Sequence, residues 1–358
     1  MYSLQLYDII TGVFSKIKDR VEAELIDYLQ NLDRRYSLSK ISPLLFKTLK
    51  DFVLRPGKRV RPVLFIIGYL GFARKACANL YKAAISFELL HDFMLVHDDI
   101  IDKAAIRRGR PSVHKMLDNY LKRFKEIKFN GQDLAIIAGD VMSAMAMDAF
   151  LSIKERATLK EKALKMFIEA GIYTEAGEFL ELLTSVKEIE KITRQAIYRI
   201  YDYKTAYYSF AYPLSCGATL AEAGRSQIDR LYKYGIYLGR GFQVKDDILG
   251  MFGEEKKTGK SSLTDLQEAK KTTLIWYAYN NSDQKNRLSI KKILTKDKVD
   301  REDLLKMRRI ITASGALDYA RKDIGNFSRK ACLAIKSSGM RAKYKTFLIN
   351  YSRQLLSL

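Results

Sequence analysis

Helix breakers are scarce in this chain. Its five prolines are Pro43, Pro56, Pro62, Pro111 and Pro213, and only 20 glycines are spread over 358 residues. Apolar residues recur at helical spacing, as in Leu25, Ile26, Tyr28 and Leu29, and again in Leu44, Leu45 and Leu49. Long stretches of this kind predict helices. No convincing strand-like alternation, fixed-period repeat or low-complexity tract is present. With 47% hydrophobic residues the chain can bury a large core, as one big domain or two ordinary ones.

The stretch Glu88 to Arg108, ELLHDFMLVHDDIIDKAAIRR, reads as an apolar helix that ends in three aspartates and then two arginines. Asp98 and Asp102 differ by roughly 40° in helical azimuth, and His91 lies roughly 20° from Asp98. One stripe therefore carries His91, Asp98 and Asp102, with Met94 and Leu95 close by. Two carboxylates aimed together repel unless a cation sits between them. An Arg or Lys partner would serve, and so would Mg²⁺, which binds one or two carboxylates together with waters and substrate phosphates.

A second carboxylate group lies in Gly239 to Gly250, GRGFQVKDDILG. Gln243 and Asp247 are four apart on one helical face, and Asp246 follows Gln243 by three. Met251 to Lys271 then reads as a loop rich in Gly, Ser and Lys. Upstream, Arg55 to Pro62, RPGKRVRP, packs basic residues beside a turn signal, as a charged loop or as a phosphate cradle. Arg107 to Pro111 is another turn. Met116 to Lys128 reads as a basic exposed helix. Asp133 to Ser152 reads as a buried helix in which Ala144, Ala146 and Ala149 would allow close approach. Glu175, Glu178 and Glu181 form an acidic stripe, solvated or functional. Lys204 and Thr205 sit in a tyrosine-rich segment.

The net charge of +22 is spread along the chain, with no arginine-rich arm or zinc-finger spacing. It fits a lysine-rich surface better than nucleic-acid binding. Cys77, Cys216 and Cys332 form no CxxC pair and read as buried thiols in a reducing cytosol. The N-terminus lacks a signal-peptide layout, and the Leu134 to Leu151 apolar run contains Asp140 and Asp148. A soluble, cytoplasmic protein is expected. No Ser/His/Asp or Cys/His arrangement suggests nucleophilic catalysis.

Taken in order, GKRVR at Gly57 to Arg61, DDIID at Asp98 to Asp102, RRG at Arg107 to Gly109, KT at Lys204-Thr205, FQVKDD at Phe242 to Asp247, and TGK…DLQEAK at Thr258 to Lys270 resemble the trans-type isoprenyl diphosphate synthases. The archaeal-type geranylgeranyl diphosphate synthases are the most similar branch. The match covers roughly residues 55 to 275. A lone DDxxD would be weak, but six motifs in order and spacing are specific.

The resemblance implies a single all-helical bundle over residues 1–358, with both aspartate motifs facing a deep central cavity. It also implies a homodimer. Isopentenyl diphosphate would condense with dimethylallyl, geranyl or farnesyl diphosphate to give a C20 product, with C15 or mixed C15/C20 synthesis as the alternative. Asp98 and Asp102 would bind two Mg²⁺ ions and Asp246 a third. Arg107, Lys204, Lys260 and Lys270 would hold the allylic diphosphate, with Thr205 and Gln243 beside it. Lys58, Arg61, His91 and Arg108 would hold isopentenyl diphosphate. Phe93 and Met94 would form the floor that limits chain length.

Gly250 and Gly177-Glu178…Glu181 depart from the family pattern of a third Asp and of Gly-Gln…Asp. A regulatory subunit of a heteromeric synthase would be expected to lose aspartates that are intact here. A terpene cyclase would not need GKRVR with His91. No nucleic-acid partner and no membrane-spanning segment are expected, and at most weak contact with anionic membrane surfaces.

Overall fold

Polar caps start many of the helices. Ser42 accepts from the Leu45 N–H, with Pro43 at the first helical position. Asn130 with Asp133, and Asp300 with Asp303, close reciprocal capping boxes. The computed structural model describes residues 2–253 and 263–358. Its helices are α1 Tyr2–Tyr36, α2 Leu38–Ile41, α3 Pro43–Val53, α4 Val60–Leu70, α5 Leu80–Ala84, α6 Ser86–Ile101, α7 Val113–Leu121, α8 Gly131–Leu151 and α9 Ala157–Ser185. After α10 Arg194–Tyr201 comes a π-helical stretch, Asp202–Ala211, which leads into α11 Tyr212–Leu220 and α12 Arg225–Phe252. Then follow α13 Thr264–Gln267, α14 Thr273–Asn280, α15 Gln284–Leu294, α16 Arg301–Ala313, α17 Ala316–Lys336 and α18 Ala342–Leu355. The architecture is all-α, as the sequence predicts.

Two compact units are built from these elements. Unit one holds residues 1–168 and 213–225. Its core contains Phe65, Phe87, Phe150 and Phe167, with Phe87 edge-on to Phe167 at 4.9 Å between centroids. Here α4 and α11 approach so closely that a Cβ on Gly68 would meet the Leu214 carbonyl oxygen at 2.2 Å, and one on Gly217 the Phe65 oxygen at 2.0 Å. Unit two holds residues 169–212 and 226–358. The buried Tyr234 hydroxyl of α12 donates to the Leu348 carbonyl of α18 at 2.7 Å, tying the two helices together.

Several expectations need correction. The basic helix expected to Lys128 is α7, and it ends at Leu121. Its buried stripe Val113, His114, Leu117 and Leu121 runs out there, because the exposed Lys122 and Arg123 follow and Phe124 is half exposed. The α8 helix is buried on one face only. Ala135, Ala138, Met142, Ala146 and Ala149 are covered, while Ile136, Ile137 and Ala144 are exposed. By length and mean hydropathy α8 could cross a membrane, but it packs against α6 and α7 as a core helix.

The loop expected over Met251 to Lys271 is helical at described positions on both sides: α12 continues to Phe252, and Thr264–Gln267 forms α13. Cys216 and Cys332 are buried, as expected, but Cys77 is only half-buried. Where the sequence shows only a turn, Ile106–Arg107 and Arg110–Pro111 pair as a minimal antiparallel ribbon. Arg108 and Gly109 make its turn, both with positive φ (54° and 73°), the backbone that a tight two-residue hairpin demands.

Candidate active site

In unit one the site is built on α6. Asp102 caps its C-terminus, donating its own N–H to the Asp98 carbonyl. Carboxylate oxygens of Asp98 and Asp102 lie within 4.8 Å of each other, so the one-turn spacing does converge them. Both are half-buried. Hard carboxylate oxygens at this spacing suit Mg²⁺, which would take them with waters and phosphate oxygens to complete its shell.

A second acidic line on the same helix escaped the sequence reading. Glu88, Asp92 and Asp99 are all buried, at 2%, 0% and 0% exposure. They share a face, offset by roughly 40° and then 20°. Three arginines neutralise this line. Arg59 donates to Glu88 at 2.7 Å and to Glu22 of α1 at 2.8 Å. Arg108 lies 3.0 Å from Asp92 and 3.3 Å from Glu88. Arg107 donates from Nε to Asp99 at 2.7 Å, and one of its terminal nitrogens reaches Asp98 at 3.1 Å. One signal was available: Glu88 and Asp92 are an i, i+4 carboxylate pair inside an apolar run, which requires cations nearby.

Within GKRVR the structure separates roles that the sequence leaves merged. Arg59 is fully buried with φ +50°, caps α4, and also donates to the carbonyls of Val53 and Arg55. Its place is structural. Lys58 is exposed and Arg61 half-buried, open enough to meet a ligand. Burial and the guanidinium groups of Arg61, Arg108, Arg107 and Arg59 hold His91 well below the usual histidine range. A neutral imidazole is therefore what unit one offers. Met94 is buried, and Phe93 stacks obliquely on His97 with centroids 4.7 Å apart. A Cβ on Gly139 of α8 would meet the His97 ring at 2.6 Å, so α8 braces the histidine that braces Phe93.

In unit two, Lys204 and Thr205 fall in the π-helical stretch. Such turns are rare and frequent at functional sites. Gly177 of α9 permits this approach, since a Cβ there would meet the Lys204 backbone nitrogen at 2.6 Å. Lys204 lies 2.6 Å from Glu178 and also pairs with Glu181. The acidic stripe therefore divides: Glu175 is exposed, while Glu178 and Glu181 clamp a lysine.

Thr205 donates to Gln243 Oε1 at 2.9 Å, and Gln243 Nε2 donates to Asp247 Oδ1 at 3.2 Å. Asp247 is buried and Asp246 exposed. Burial pushes the Asp247 carboxyl well above the usual range, against hydrogen bonds from Tyr201 and Gln243. Lys270 lies 2.6 Å from Glu268 and 3.7 Å from Asp265. Burial alone would lower its ammonium, but Glu181, Glu268 and Asp265 raise it above the ordinary lysine range. At Gly250 a Cβ would sit 2.2 Å from the Asp265 carboxylate, so Asp265 fills the space a third aspartate would need. Lys260 and Thr258 lie outside the described residues.

Comparison with known proteins agrees with this chemistry. The polyprenyl synthetase family model matches residues 42–311. The geranylgeranyl diphosphate synthase of Saccharolobus solfataricus is 31% identical over 77% of this chain and 79% of its own length. The geranylfarnesyl diphosphate synthase of Aeropyrum pernix is 32% identical over 74% and 78%. In fold, the chain is similar to geranylgeranyl pyrophosphate synthase from Corynebacterium glutamicum, solved with isoprenyl diphosphate and magnesium, with a TM-score of 0.86, 24% identity, and 96% and 99% of the two chains covered. Two aspartate-bearing helices, arginines and lysines suited to diphosphates and the match over most of the chain lead to one conclusion: this protein belongs to the polyprenyl synthetase family and is a trans-prenyltransferase.

Proposed function

We propose that the chain condenses isopentenyl diphosphate with dimethylallyl, geranyl and farnesyl diphosphates and releases geranylgeranyl diphosphate, C20. The observation that carries this reading is the convergence of Asp98 and Asp102 at the end of α6, one helical turn beyond Phe93 and Met94. A relative named for C20 synthesis supports the length, although another is named for a longer product. An aromatic at position 93 with a small residue at 94 resembles C20 synthases and two aromatics resemble C15 synthases; Met94 is intermediate, which leaves C15 or mixed synthesis as the second reading.

Asp98, Asp102 and Asp246 would hold Mg²⁺, three ions in all, and when bound these neutralise the diphosphate oxygens. Arg107, Lys204, Lys270 and Lys260 bind the allylic diphosphate, with Thr205 and Gln243 beside it. They favour departure of pyrophosphate with the C–O bonding pair by stabilising its charge. Lys58, Arg61, Arg108 and the neutral His91 hold isopentenyl diphosphate, whose alkene attacks the allylic carbon. Its proton then passes to the departed pyrophosphate, so no strong protein base is required.

A cytoplasmic homodimer that acts as one catalytic domain belongs to the same reading, with at most weak contact with acidic membranes. Incubation with labelled isopentenyl diphosphate, each allylic starter and Mg²⁺ tests it. C20 as the main product is expected. Metal binding without product from any starter would reject the catalytic reading.

A further inference from the structure

The Tyr201 hydroxyl is buried where three catalytic segments of unit two meet. Tyr201 is 5% exposed, ends α10 and immediately precedes the π-helical stretch that carries Lys204 and Thr205. Its hydroxyl donates to Asp247 Oδ2 on α12, the neighbour of Asp246. It also accepts from the Thr273 N–H at 3.0 Å, where α14 begins three residues after Lys270. The phenol has one proton and spare lone pairs, so donation to a carboxylate and acceptance from an amide are mutually consistent.

The consequences run down a chain of hydrogen bonds. Asp247 accepts on both oxygens, Oδ2 from Tyr201 and Oδ1 from Gln243, so the Gln243 amide turns its NH₂ to Asp247 at 3.2 Å and its carbonyl to Thr205 at 2.9 Å. The Thr205 proton is thereby committed to Gln243. Among the described residues, the Thr205 lone pairs and the second N–H of Gln243 carry no other side-chain hydrogen bond. Without the Tyr201 hydroxyl, Asp247 would lose one of two donors and could rotate, and the amide would lose its defined orientation.

We infer that Tyr201 is a positioning residue for the allylic diphosphate and metal half of the reaction, acting through Asp247 on Gln243 and Thr205 and joining the segments that carry Lys204, Asp246 and Lys270. The inference rests on the functional reading above. Nothing in the aspartate motifs signals it, because Tyr201 lies 46 positions from its partner.

Tyr201→Phe tests it, since the ring packing against Tyr198 stays and only the hydroxyl goes. Loss of an outer-shell partner typically costs tenfold or more, so kcat should fall about tenfold. The Mg²⁺ concentration for half-maximal rate should rise while KM for isopentenyl diphosphate stays within about twofold, for the residues assigned to that substrate lie in unit one. In a cycle with Asp247→Asn, the double variant should be little worse than Asp247→Asn alone.

A folded Tyr201→Phe with unchanged kcat and Mg²⁺ requirement, or with only a lowered melting midpoint, overturns the inference, as do fully additive losses. If Tyr201→Phe does not fold, Thr273→Pro removes the N–H donated to Tyr201 at a first helical position where proline is tolerated. The same pattern at smaller size is expected there, and wild-type kinetics would overturn the inference. Wild-type turnover tests the functional reading separately. Should turnover be absent, calorimetric affinity for geranyl diphosphate with Mg²⁺ gives the same variant-to-wild-type comparison.

Discussion

Arg107 reaches Asp98, its guanidinium 3.1 Å from the carboxylate, while its Nε–H donates to Asp99 at 2.7 Å. Burial would weaken the charged guanidinium, but Asp99, Asp98 and Asp102 together raise its pKa. One planar donor set thus fixes the rotamer of the first aspartate and ties the hairpin to the end of α6. Lysine keeps the charge but cannot donate to both carboxylates along a fixed plane. Arg107→Lys should lower kcat about tenfold and Arg107→Ala further, the range expected for charge-assisted pairs. Steady-state kinetics at saturating Mg²⁺ decide this, and a Lys variant with wild-type kcat would show that the pairing is incidental.

The α6 site was legible because its information is local. Asp98 and Asp102 are one turn apart, and helical arithmetic places them on one face. Gln243 and Asp247 were legible in the same way. What the sequence could not show depends on partners far along the chain. Lys58 and Arg59 are equivalent as text. Only the arrival of Glu22 and Glu88 makes Arg59 buried scaffold and leaves Lys58 exposed. The π-helical turn was invisible because its extra residue per turn has no compositional mark. Glu178 and Glu181 read equally well as solvated or functional until Lys204 was placed between them.

That lysine clamp has a kinetic consequence. Lys204 must exchange Glu178 and Glu181 for a diphosphate if it is to bind substrate. Glu178→Gln keeps the shape and removes one competing charge. A partly buried pair weakened in this way is worth about 1 kcal/mol, so KM for the allylic substrate should fall about fivefold. Initial rates against geranyl diphosphate concentration provide the measurement. An unchanged or higher KM would mean that Glu178 helps hold the ligand or metal instead.

Chain length should respond to the two residues one turn before Asp98. Met94 is buried, while Phe93 is held by His97, itself pressed on Gly139. Phe93→Ala and Met94→Ala should both lengthen products by at least one isoprene unit, read by chromatography of labelled alcohols. His97→Ala removes the brace but not the floor, so it should broaden the product distribution without a uniform shift. Identical product lengths in both alanine variants would reject the floor assignment.

Lys271 offers a test of stability against pH. It is 8% exposed, donates to the Ser185 carbonyl, and burial pushes its ammonium down to about 8 from 10.5. Below pH 8 the folded and unfolded chains both carry the proton, and the cost of the buried charge is at its full, constant value. Between 8 and 10.5 the unfolded chain binds more protons than the folded one, so native stability rises with pH through this window. Lys271→Met removes the charge at the expense of one carbonyl hydrogen bond, worth about 1 kcal/mol. The variant should therefore melt about 2–4 °C higher than wild type at pH 7, and the gap should close toward pH 10. Calorimetric midpoints at pH 7, 8.5 and 10 measure it. A gap that stays constant with pH would show that the packing of the methionine, not removal of a buried charge, sets the difference.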